Sequence, residues 1–507
     1  MKNNTVWSEN RVFWIFIALH LSIWTLVPSL VNHNLPIDVV EGLAWGNEGM
    51  WGYHKHPPLS PWLMDLFATL SGSSDWAQYL LSQLSVCAAF IGMWLLAREF
   101  LSPLKALISV LLLEGVYYHG YASPEFNANI VLLPFWSIAI LSFYKAIETR
   151  KVTWWIVLGA AAALAVLGKY FTGFLLVSMF AYMIATAKGR QQFLTIGPYA
   201  ALGIMLLILT PHFVWMVEAD FSTLSYGVNR ASGSGDVGLK NHFLYPLKFL
   251  ISQLVLLIPL LLMLAAFGLK RDKADASKSN AALLSFMAFG PPLLILLLSA
   301  ILGWKLRSMW GAPLFLMSGV LLVSFLNPMI TLSKMGRFKA VFLFFALIGP
   351  VAYIAVYAVR PLVKEGGKRT QFPGSEIALR ISKHWQEQYP DKALQYVMGD
   401  VWRAGNVAYY HNKVEFAAPN AESQRTISAF IDGSTQISPW VNPEDFKEKG
   451  GVIVWKGTSL PVDSNPKFLS LKSAYPELVV MKPLQLSWDS WFSDEELTLN
   501  WAVLPPK

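Results

Sequence analysis

The sequence contains very little cysteine and few charged residues for its length. Cys87 is the only cysteine among 507 residues, so a disulfide within the chain and a metal site built from several cysteines are both excluded. Charged residues make up 14% of the chain, whereas an ordinary globular domain carries about 25%. Hydrophobic residues make up 54%, far more than a disordered segment carries. The composition therefore excludes a disordered chain and a soluble protein with a single core.

The apolar residues occur in runs of about 18 to 24, which is long enough to cross ~30 Å of hydrocarbon as a helix. We predict a polytopic α-helical membrane protein with about 11 to 13 spans. Segment 57–72 is apolar too, but it is short and begins with prolines, so we predict an interfacial or half-inserted helix there. The eleven candidate spans are residues 13–31, 78–97, 104–120, 127–145, 153–168, 171–187, 194–215, 246–268, 281–301, 309–326 and 340–359.

Basic residues are distributed unevenly between the turns that join these spans. The net charge is +8, and most lysines and arginines before residue 360 fall at the N-terminus and in every second turn after it. Because basic residues are enriched on the cytoplasmic side, we predict a cytoplasmic N-terminus, and eleven spans then place the C-terminus outside. We attribute the basic charge to this orientation and expect no nucleic-acid partner. The opposite loops carry Lys55, Lys169, Arg230, Lys240, Lys305 and Arg307.

The composition changes after about residue 360. Residues 361–507 are polar, contain no spanning run and alternate helix and strand signals, which predicts a small α/β domain. We therefore predict a multi-span membrane domain, 1–360, followed by an extracytoplasmic α/β domain, 361–507. The elements predicted in the second domain are a helix over 375–388 and short strands over 394–398, 451–455 and 478–481.

The first outer loop, residues 35–63, concentrates acidic, basic and aromatic side chains. Asp38, Glu41 and Trp45 have the spacing i, i+3 and i+7, so a short helix beginning near Pro36 would present all three on one face. The run Tyr53-His54-Lys55-His56 follows. Transfer from a phosphate donor requires a carboxylate that accepts a proton from the attacking hydroxyl and a cation that stabilises the leaving phosphate. The alternative is an amphipathic interfacial helix with aromatic anchors.

Two later outer loops each contain one candidate ionisable residue. Glu125 follows Pro124 where a span is predicted to begin, so it is either a carboxylate that caps a helix or a second acid of the site. Lys169 lies between two predicted spans and either extends to the lipid headgroups or binds phosphate.

Two further outer loops add cations and aromatic residues. Lys305 and Arg307 lie on the side where basic residues are disfavoured, and we prefer a phosphate-binding pair over contact with lipid headgroups. Trp310 follows them, and the loop 210–236 carries Trp215 and Arg230.

Several short motifs resemble one family when taken in order. The loop 38–63, with its Asp, Trp, Gly-Tyr and His-Pro-Pro, resembles the first outer loop of GT-C glycosyltransferases. More specifically, it resembles the bacterial branch of the protein O-mannosyltransferase-like family that includes the lipid A aminoarabinose transferases. The stretches 167–173, 210–216, 309–313 and 400–412 resemble later motifs of that branch. The resemblance therefore extends over nearly the whole chain.

The resemblance implies a membrane enzyme that moves a sugar from a polyprenyl-phosphate carrier to an acceptor outside the cytoplasm, in a bacterial inner membrane. The acceptor classes are lipid A, another envelope glycan or a protein. The family's catalytic acids correspond to Asp38 and Glu125, although Val39 stands where that branch usually has a second acid and Glu41 where it usually has an aromatic residue. The implied phosphate-binding residues are Lys55, His56, Lys169, Lys305 and Arg307. The other expected substrate contacts are Glu41, Trp45, Tyr53, His54, Trp215, Arg230 and Trp310.

We predict an inverting single displacement, in which Asp38 accepts the proton of the acceptor hydroxyl. This reaction requires no enzyme-linked intermediate and no certain cofactor. A divalent cation beside the phosphate is compatible with the carboxylates, but no ligand spacing requires one.

Three other functions are compatible with a membrane protein of this composition. A transporter or flippase of a polyprenyl-linked substrate needs charged groups near mid-membrane, where Glu114 and Lys248 are the candidates and neither has an obvious partner. A scaffold that binds cell-wall components needs no catalytic acid. A phosphoethanolamine-type transferase needs a metal cluster in its soluble domain, and 361–507 offers only His384 and His411 as histidines.

Overall fold

The computed structural model describes residues 8–232, 238–268, 270–272, 281–359, 367–411, 427–457, 466–488 and 496–507. The chain divides into two compact units. Unit 1 comprises Met1–Leu26, Lys55–Leu59 and Leu80–Ala352, and unit 2 comprises Val27–His54, Ser60–Tyr79 and Tyr353–Lys507. Most of the first outer loop therefore belongs to the same unit as the C-terminal region.

Helices dominate the chain before the C-terminal region. They are α1 (Glu9–Val31), α2 (Ile37–Gly46), α3 (Leu59–Ser71), α4 (Asp75–Ala97), α5 (Pro103–Leu111), α6 (Leu132–Thr149), α7 (Val152–Gly168), α8 (Thr172–Ala185), α9 (Ala187–Arg190), α10 (Gly197–Glu218), α11 (Ser222–Ser232), α12 (Asn241–Leu256), α13 (Ile258–Ala265), α14 (Ala281–Leu302), α15 (Ser318–Leu326) and α16 (Leu332–Ile354).

Five helical segments in the described residues are long and apolar enough to cross a membrane. They are α1, α4, α10, α14 and the segment Leu332–Val359. Three pairs of consecutive helical segments are also apolar enough but are bent, and the number rises to eight if each pair is one span. The bends are 99° between α8 and the segment that follows it, 46° between α12 and α13, and 52° between the segment Ser308–Phe315 and α15. A helical membrane fold is confirmed, because each predicted run contains a helix. The predicted 11 to 13 spans stay a prediction.

The segment predicted as a span over 104–120 is only partly helical, which corrects the sequence analysis. Helix α5 ends at Leu111, one 3₁₀ turn reaches Gly115, and no helix forms until α6 begins at Leu132. A side chain at Gly115 would place a Cβ atom 2.7 Å from the Leu260 backbone nitrogen, so this turn passes very close to α13. The prediction that Glu125 stands at the start of a span is therefore wrong, because the helix begins later.

Glu114 has a partner that the sequence analysis did not find. Its Oε2 lies 2.7 Å from His20 Nδ1, and Trp24 Nε1 donates to its Oε1 at 3.4 Å. The expectation that Glu114 lacks a partner is wrong, because the two residues that bind it are on α1, far away in sequence. The pair fixes the 3₁₀ turn against α1 inside unit 1.

Unit 2 contains the predicted α/β elements of the C-terminal region. Its sheet has the strand order β2-β1-β3-β6-β4, with β5 also paired to β6. β1 pairs in parallel with β2 and β3, and β3 pairs antiparallel with β6. The strands are β1 (Tyr396–Gly399), β2 (Ser428–Ile431), β3 (Gly451–Lys456), β4 (Val479–Val480), β5 (Leu484–Ser487) and β6 (Glu496–Leu504). The helices are α17 (Gly374–Gln388), α18 (Val401–His411), α19 (Pro443–Lys449) and α20 (Pro466–Ala474).

The predicted helix over 375–388 corresponds to α17, and the predicted strands correspond to β1, β3 and β4. The core on one face of this sheet is apolar and includes Met398, Phe430, Phe446 and Ile453. A small sheet region at the C-terminal end is therefore confirmed.

The half-buried His411 at the end of α18 makes the stability of unit 2 depend on pH. Its Nδ1 lies 2.5 Å from Ser382 Oγ, and that hydroxyl donates to the Ala378 carbonyl oxygen at 2.6 Å. Burial lowers the pKa of His411 from 6.5 to about 4. The unfolded chain therefore takes up a proton near pH 6.5 that the folded chain takes up only near pH 4, so stability is lost as pH falls between these values.

We expect the apparent Tm of the full chain to fall between pH 7 and pH 5, and to fall less in His411→Gln. Thermal unfolding followed by circular dichroism measures this difference. His384→Gln is the matched control, since it removes another histidine of unit 2. An equal pH dependence in wild type and His411→Gln would show that His411 does not carry the effect.

Candidate functional site

Asp38 stands in the first turn of α2. Pro36 precedes the helix in an extended conformation, with φ −61° and ψ 160°, and Ile37 begins it. Proline is favourable before a first turn, and a carboxylate there interacts with the partial positive charge of the helix N-terminus. The predicted helix and its start near Pro36 are confirmed. Asp38 is half-buried, so it remains partly accessible.

The chain that leads into α2 is fixed by the C-terminal part of unit 2. The backbone N–H groups of His33 and Asn34 donate to the Thr370 carbonyl oxygen at 2.8 and 2.9 Å. Two hydrogen bonds to one carbonyl leave this segment little freedom to move. They therefore help to fix the position of Asp38.

Close packing also immobilises α2. A Cβ atom on Gly42 would lie 2.2 Å from Met64 Sδ of α3, and a Cβ atom on Gly405 of α18 would lie 2.9 Å from Val40 Cγ1. Helix α2 thus contacts α3 on one side and α18 on another. Catalytic groups need positions fixed to about half an ångström by such support, and unit 2 provides it for Asp38, the predicted catalytic acid.

Three predicted substrate contacts of the first loop form one aromatic cluster. Trp45 and Tyr53 stack with 5.3 Å between ring centroids and an interplanar angle of 9°. His54 meets Trp45 edge-on at 5.6 Å, and Trp440 meets Tyr53 edge-on at 6.2 Å. Trp45 and Tyr53 are only 2% and 1% exposed. Their burial indicates that they belong to the core that supports α2.

Two glutamates of this region are largely enclosed in unit 2. Glu41, on α2, is 8% exposed. Glu48 follows the helix, and burial raises the pKa of its carboxyl group although hydrogen bonds from Ser428 and Asn47 oppose the shift. Glu48 is not among the predicted site residues, because its partner Ser428 is far away in sequence.

In unit 1, Lys169 connects two loops that the sequence analysis treated separately. Its Nζ lies 2.5 Å from Asn129 Oδ1 and 5.6 Å from the centroid of the Trp310 ring. Lys169 directly follows α7, which is rich in small residues and packs closely against its neighbours in unit 1. The structure therefore brings the predicted residues Lys169 and Trp310 together, and it adds Asn129, which no local sequence signal indicates.

Arg307 precedes the 3₁₀ helix Ser308–Phe315. The Ser308 carbonyl oxygen accepts hydrogen bonds from Tyr118 Oη and, at 3.1 Å, from Gln253 Nε2, which fixes this segment. Arg307 is half-buried, and its Nε is inaccessible to solvent and has no hydrogen-bond partner among the described residues. Buried donors without partners are rare, so an anion at this guanidinium would complete its hydrogen bonding.

Helix α11 is the element on which the cation-bearing loops of unit 1 meet. His56 meets the ring of Tyr226 on α11 edge-on, with 6.4 Å between ring centroids. Tyr170 forms a hydrogen bond with the hydroxyl group of Thr223 on α11. Lys305 donates its backbone N–H to the carbonyl oxygen of Ala231 on α11 at 2.8 Å. The loops gathered around α11 carry Lys55, His56, Lys169, Lys305 and Arg307.

Glu125 lies in the non-helical segment 116–131 of unit 1 and is half-buried. Its backbone carbonyl oxygen accepts a hydrogen bond from Asn127 Nδ2 at 3.0 Å. The same segment carries Asn129, the partner of Lys169. The loop of the predicted second acid therefore contacts one of the predicted cations.

Two other predicted contacts have different environments. Trp215 is 8% exposed and stacks on His212 at 5.8 Å, and His212 Nε2 lies 2.8 Å from Tyr170 Oη. Trp215 is therefore linked to Tyr170 through His212. Arg230, in the last turn of α11, is exposed.

The helical membrane fold and the sequence motifs define a chain that resembles GT-C glycosyltransferases. Residues 55–215 match the family described as dolichyl-phosphate-mannose-protein mannosyltransferase. The fold is similar to that of ArnT from Cupriavidus metallidurans, whose crystal structure was determined with bound undecaprenyl phosphate. That comparison has a TM-score of 0.58, covers 98% of both chains and has 14% sequence identity. The predicted resemblance is confirmed.

Two proteins of Rhizobium johnstonii are similar in sequence. The lipid A galacturonosyltransferase RgtD is 23% identical over 320 residues, and the lipopolysaccharide core galacturonosyltransferase RgtA is 21% identical over 229 residues. The alignments cover 61% and 44% of this chain. They cover 64% and 46% of the relatives, so the chain spans less than two thirds of the length of the curated relatives it matches.

Proposed function

We propose that this chain transfers a glycosyl group from a polyprenyl-phosphate carrier to an acceptor outside the cytoplasm of a bacterial cell. The observation that carries the proposal is the half-buried Arg307, whose Nε has no partner among the described residues and whose loop lies beside Lys169. Cations held in this way suit an anionic leaving group. The match to a family described by a dolichyl-phosphate-linked sugar supports a donor of that chemical type.

The reaction is a single displacement with inversion. The acceptor oxygen attacks the anomeric carbon, and the bond from that carbon to the carrier phosphate breaks, with its electron pair leaving on the phosphate. Asp38 accepts the proton of the acceptor hydroxyl. Its position in the first turn of an immobilised helix supports this role, because proton transfer requires a base at hydrogen-bonding distance.

The cations of unit 1 stabilise the departing phosphate. This group leaves already ionised, so it needs electrostatic stabilisation more than a proton. Arg307 and Lys169 are the principal contacts, because their segments meet at Trp310. Lys55, His56 and Lys305 add positive charge around α11. Each well-placed group of this kind typically contributes ~2.7–4 kcal/mol to the transition state.

The acceptor that we favour is an envelope glycolipid of the lipopolysaccharide type. The two relatives from Rhizobium johnstonii are described as transferases for lipid A and for the lipopolysaccharide core. Other envelope glycans and proteins are the alternatives. Glu125 is the second acid of the site, and Arg230, exposed on α11, is a contact for the polar part of a substrate. Within the described ranges, no three His, Cys, Asp or Glu residues lie close enough together to hold a metal ion, and we assign no step to one.

Comparative mass spectrometry of envelope lipids tests this proposal. We expect cells that lack the chain to lose one glycosylated envelope lipid and to accumulate the corresponding polyprenyl-phosphate sugar. Restoring the wild-type chain, but not Asp38→Asn, should reverse both changes. Unchanged glycolipids together with an unchanged carrier pool would contradict the proposal.

The orientation in the membrane is testable with single cysteines. In a Cys87→Ala background, we expect Thr435→Cys, beside Gly433, to react with an impermeant maleimide added to intact spheroplasts, since the C-terminal region is proposed to be periplasmic. Ala276→Cys, which lies outside the described residues, should react only after lysis. The reverse labelling pattern would mean that 57–72 crosses the membrane and that the loop assignments are inverted.

A further inference from the structure

Unit 1 contains a groove of about 890 Å³ that the proposed reaction does not use. It lies between α1, α5 and α16, and its lining is almost entirely apolar. Representative lining residues are Phe16, Leu19, Leu107, Leu111, Phe342 and Leu343. A surface of this kind in a membrane protein suits a hydrocarbon chain.

A polar cluster lines one part of the groove. His20, Trp24 and Glu114 line it there, and they are hydrogen-bonded to one another through the Glu114 carboxylate. Along α1, His20 lies about 16 Å from Glu9 at ~1.5 Å per residue. That distance is close to half of the ~30 Å hydrocarbon thickness of a bilayer. The apolar part of the groove therefore has the length of one leaflet.

The groove also carries one acid and one base. Glu9, in the first turn of α1, and Lys339, three residues before Phe342 on α16, both line it. Helices α1 and α16 run in the same direction, with the rings of Phe16 and Phe342 in contact, so both charges lie on the side of this contact away from the polar cluster. Neither forms an ion pair with another of the described residues. An acid and a base on the same side of the groove match a headgroup that contains both charges, whereas a headgroup with a phosphate and no ammonium group would leave Glu9 without a cation to pair with.

We propose that this groove binds a zwitterionic glycerophospholipid of the leaflet at the α1 N-terminus. Lys339 contacts the lipid phosphate, Glu9 contacts the ammonium group of a phosphoethanolamine headgroup, and one acyl chain lies along the groove as far as the His20–Glu114 pair. This site is separate from the proposed transfer of a glycosyl group, so either can fail without the other.

Native mass spectrometry of the full chain tests the site. Delipidated protein is offered equal amounts of phosphatidylethanolamine and phosphatidylglycerol with identical acyl chains. We expect the wild type to retain several-fold more of the ethanolamine lipid. Glu9→Lys should reverse this preference, because this side of the groove then carries two bases. The double variant Glu9→Lys/Lys339→Glu should restore it, because acid and base have only exchanged places.

Two controls separate this site from general surface charge. Arg337→Glu reverses a charge on the same helix at a residue that does not line the groove, and it should leave the preference unchanged. Leu343→Trp fills the groove without changing its charges and should reduce retention of both lipids.

Equal retention of the two lipids by the wild type, or the same effect of Arg337→Glu and Lys339→Glu, would overturn the proposal. If a charge-reversal variant does not fold, Glu9→Gln and Lys339→Gln are used in its place. Unchanged lipid selectivity in both of these variants would also overturn the proposal.

Discussion

Asp38→Asn is expected to lower the rate of glycosyl transfer by ~10²-fold or more while folding and expression are kept. Asparagine has nearly the same size and shape as aspartate, so the packing of α2 against α3 and α18 should not change. Its amide cannot accept a proton from an attacking hydroxyl at neutral pH. Transfer rates of the purified variant at saturating donor and acceptor measure the loss.

The matched control is Glu376→Gln, which removes a carboxylate from unit 2 in the same way. Glu376 forms an exposed ion pair with Arg380 on α17, and exposed pairs contribute little to stability. We expect this variant to retain wild-type activity. Activity of Asp38→Asn within threefold of wild type would remove Asp38 from the mechanism, and it would favour a scaffold function.

Arg307→Ala is expected to reduce kcat/KM for the carrier lipid by about 10²-fold, the size of effect seen when one preorganised donor is lost from a site that stabilises developing negative charge. The loss should appear as a raised KM for the carrier, a lowered kcat, or both. Thermal stability should change little, because Arg307 forms no ion pair among the described residues and its Nε has no partner there. Steady-state kinetics across carrier concentrations, with a melting curve of each variant, measure both properties.

Arg307→Lys distinguishes a geometric role from a simple charge. We expect partial rescue only, because lysine keeps the charge but lacks the planar fork that binds two phosphate oxygens at once. Lys240→Ala, which removes an exposed cation at the start of α12, is the control and should be neutral. If Arg307→Ala matched the wild type at every carrier concentration, the phosphate-binding role would pass to the other cations, beginning with Lys55 and His56.

Local sequence signals predicted the elements that carry the candidate site. Helix α2 was predicted from Pro36 and from the acidic residues that follow it at helical spacing. The predicted start of the helix was correct, because a proline before the first turn is a local feature of the sequence. The alternation of polar helix and short apolar strands predicted the sheet region of unit 2. Strands β2, β5 and β6 were missed. Strands β2 and β6 pair with β1 and β3, which are far away along the chain, so these pairings leave no local signal in the sequence.

The polar contacts between distant parts of the chain could not be predicted from the sequence. Lys169 binds Asn129 within the candidate site, and His20 binds Glu114 outside it, in both cases across long separations along the chain. The end of α5 at Leu111 was missed because hydropathy continues through the 3₁₀ turn, and only the close approach of Gly115 to α13 explains why a glycine is needed there. Apolar periodicity identifies what is buried, but it does not report which polar groups meet.

The most direct test of glycosyl transfer uses the purified full chain, a polyprenyl-phosphate sugar of known anomeric configuration and a lipopolysaccharide-type glycolipid acceptor. We predict that one polyprenyl phosphate is released for each glycosylated acceptor, and that nuclear magnetic resonance of the product shows the opposite anomeric configuration. Retention of configuration would contradict the single displacement. Release of no polyprenyl phosphate with any envelope acceptor, while the chain moves the intact donor across proteoliposomes, would contradict the enzyme assignment and establish a transporter instead.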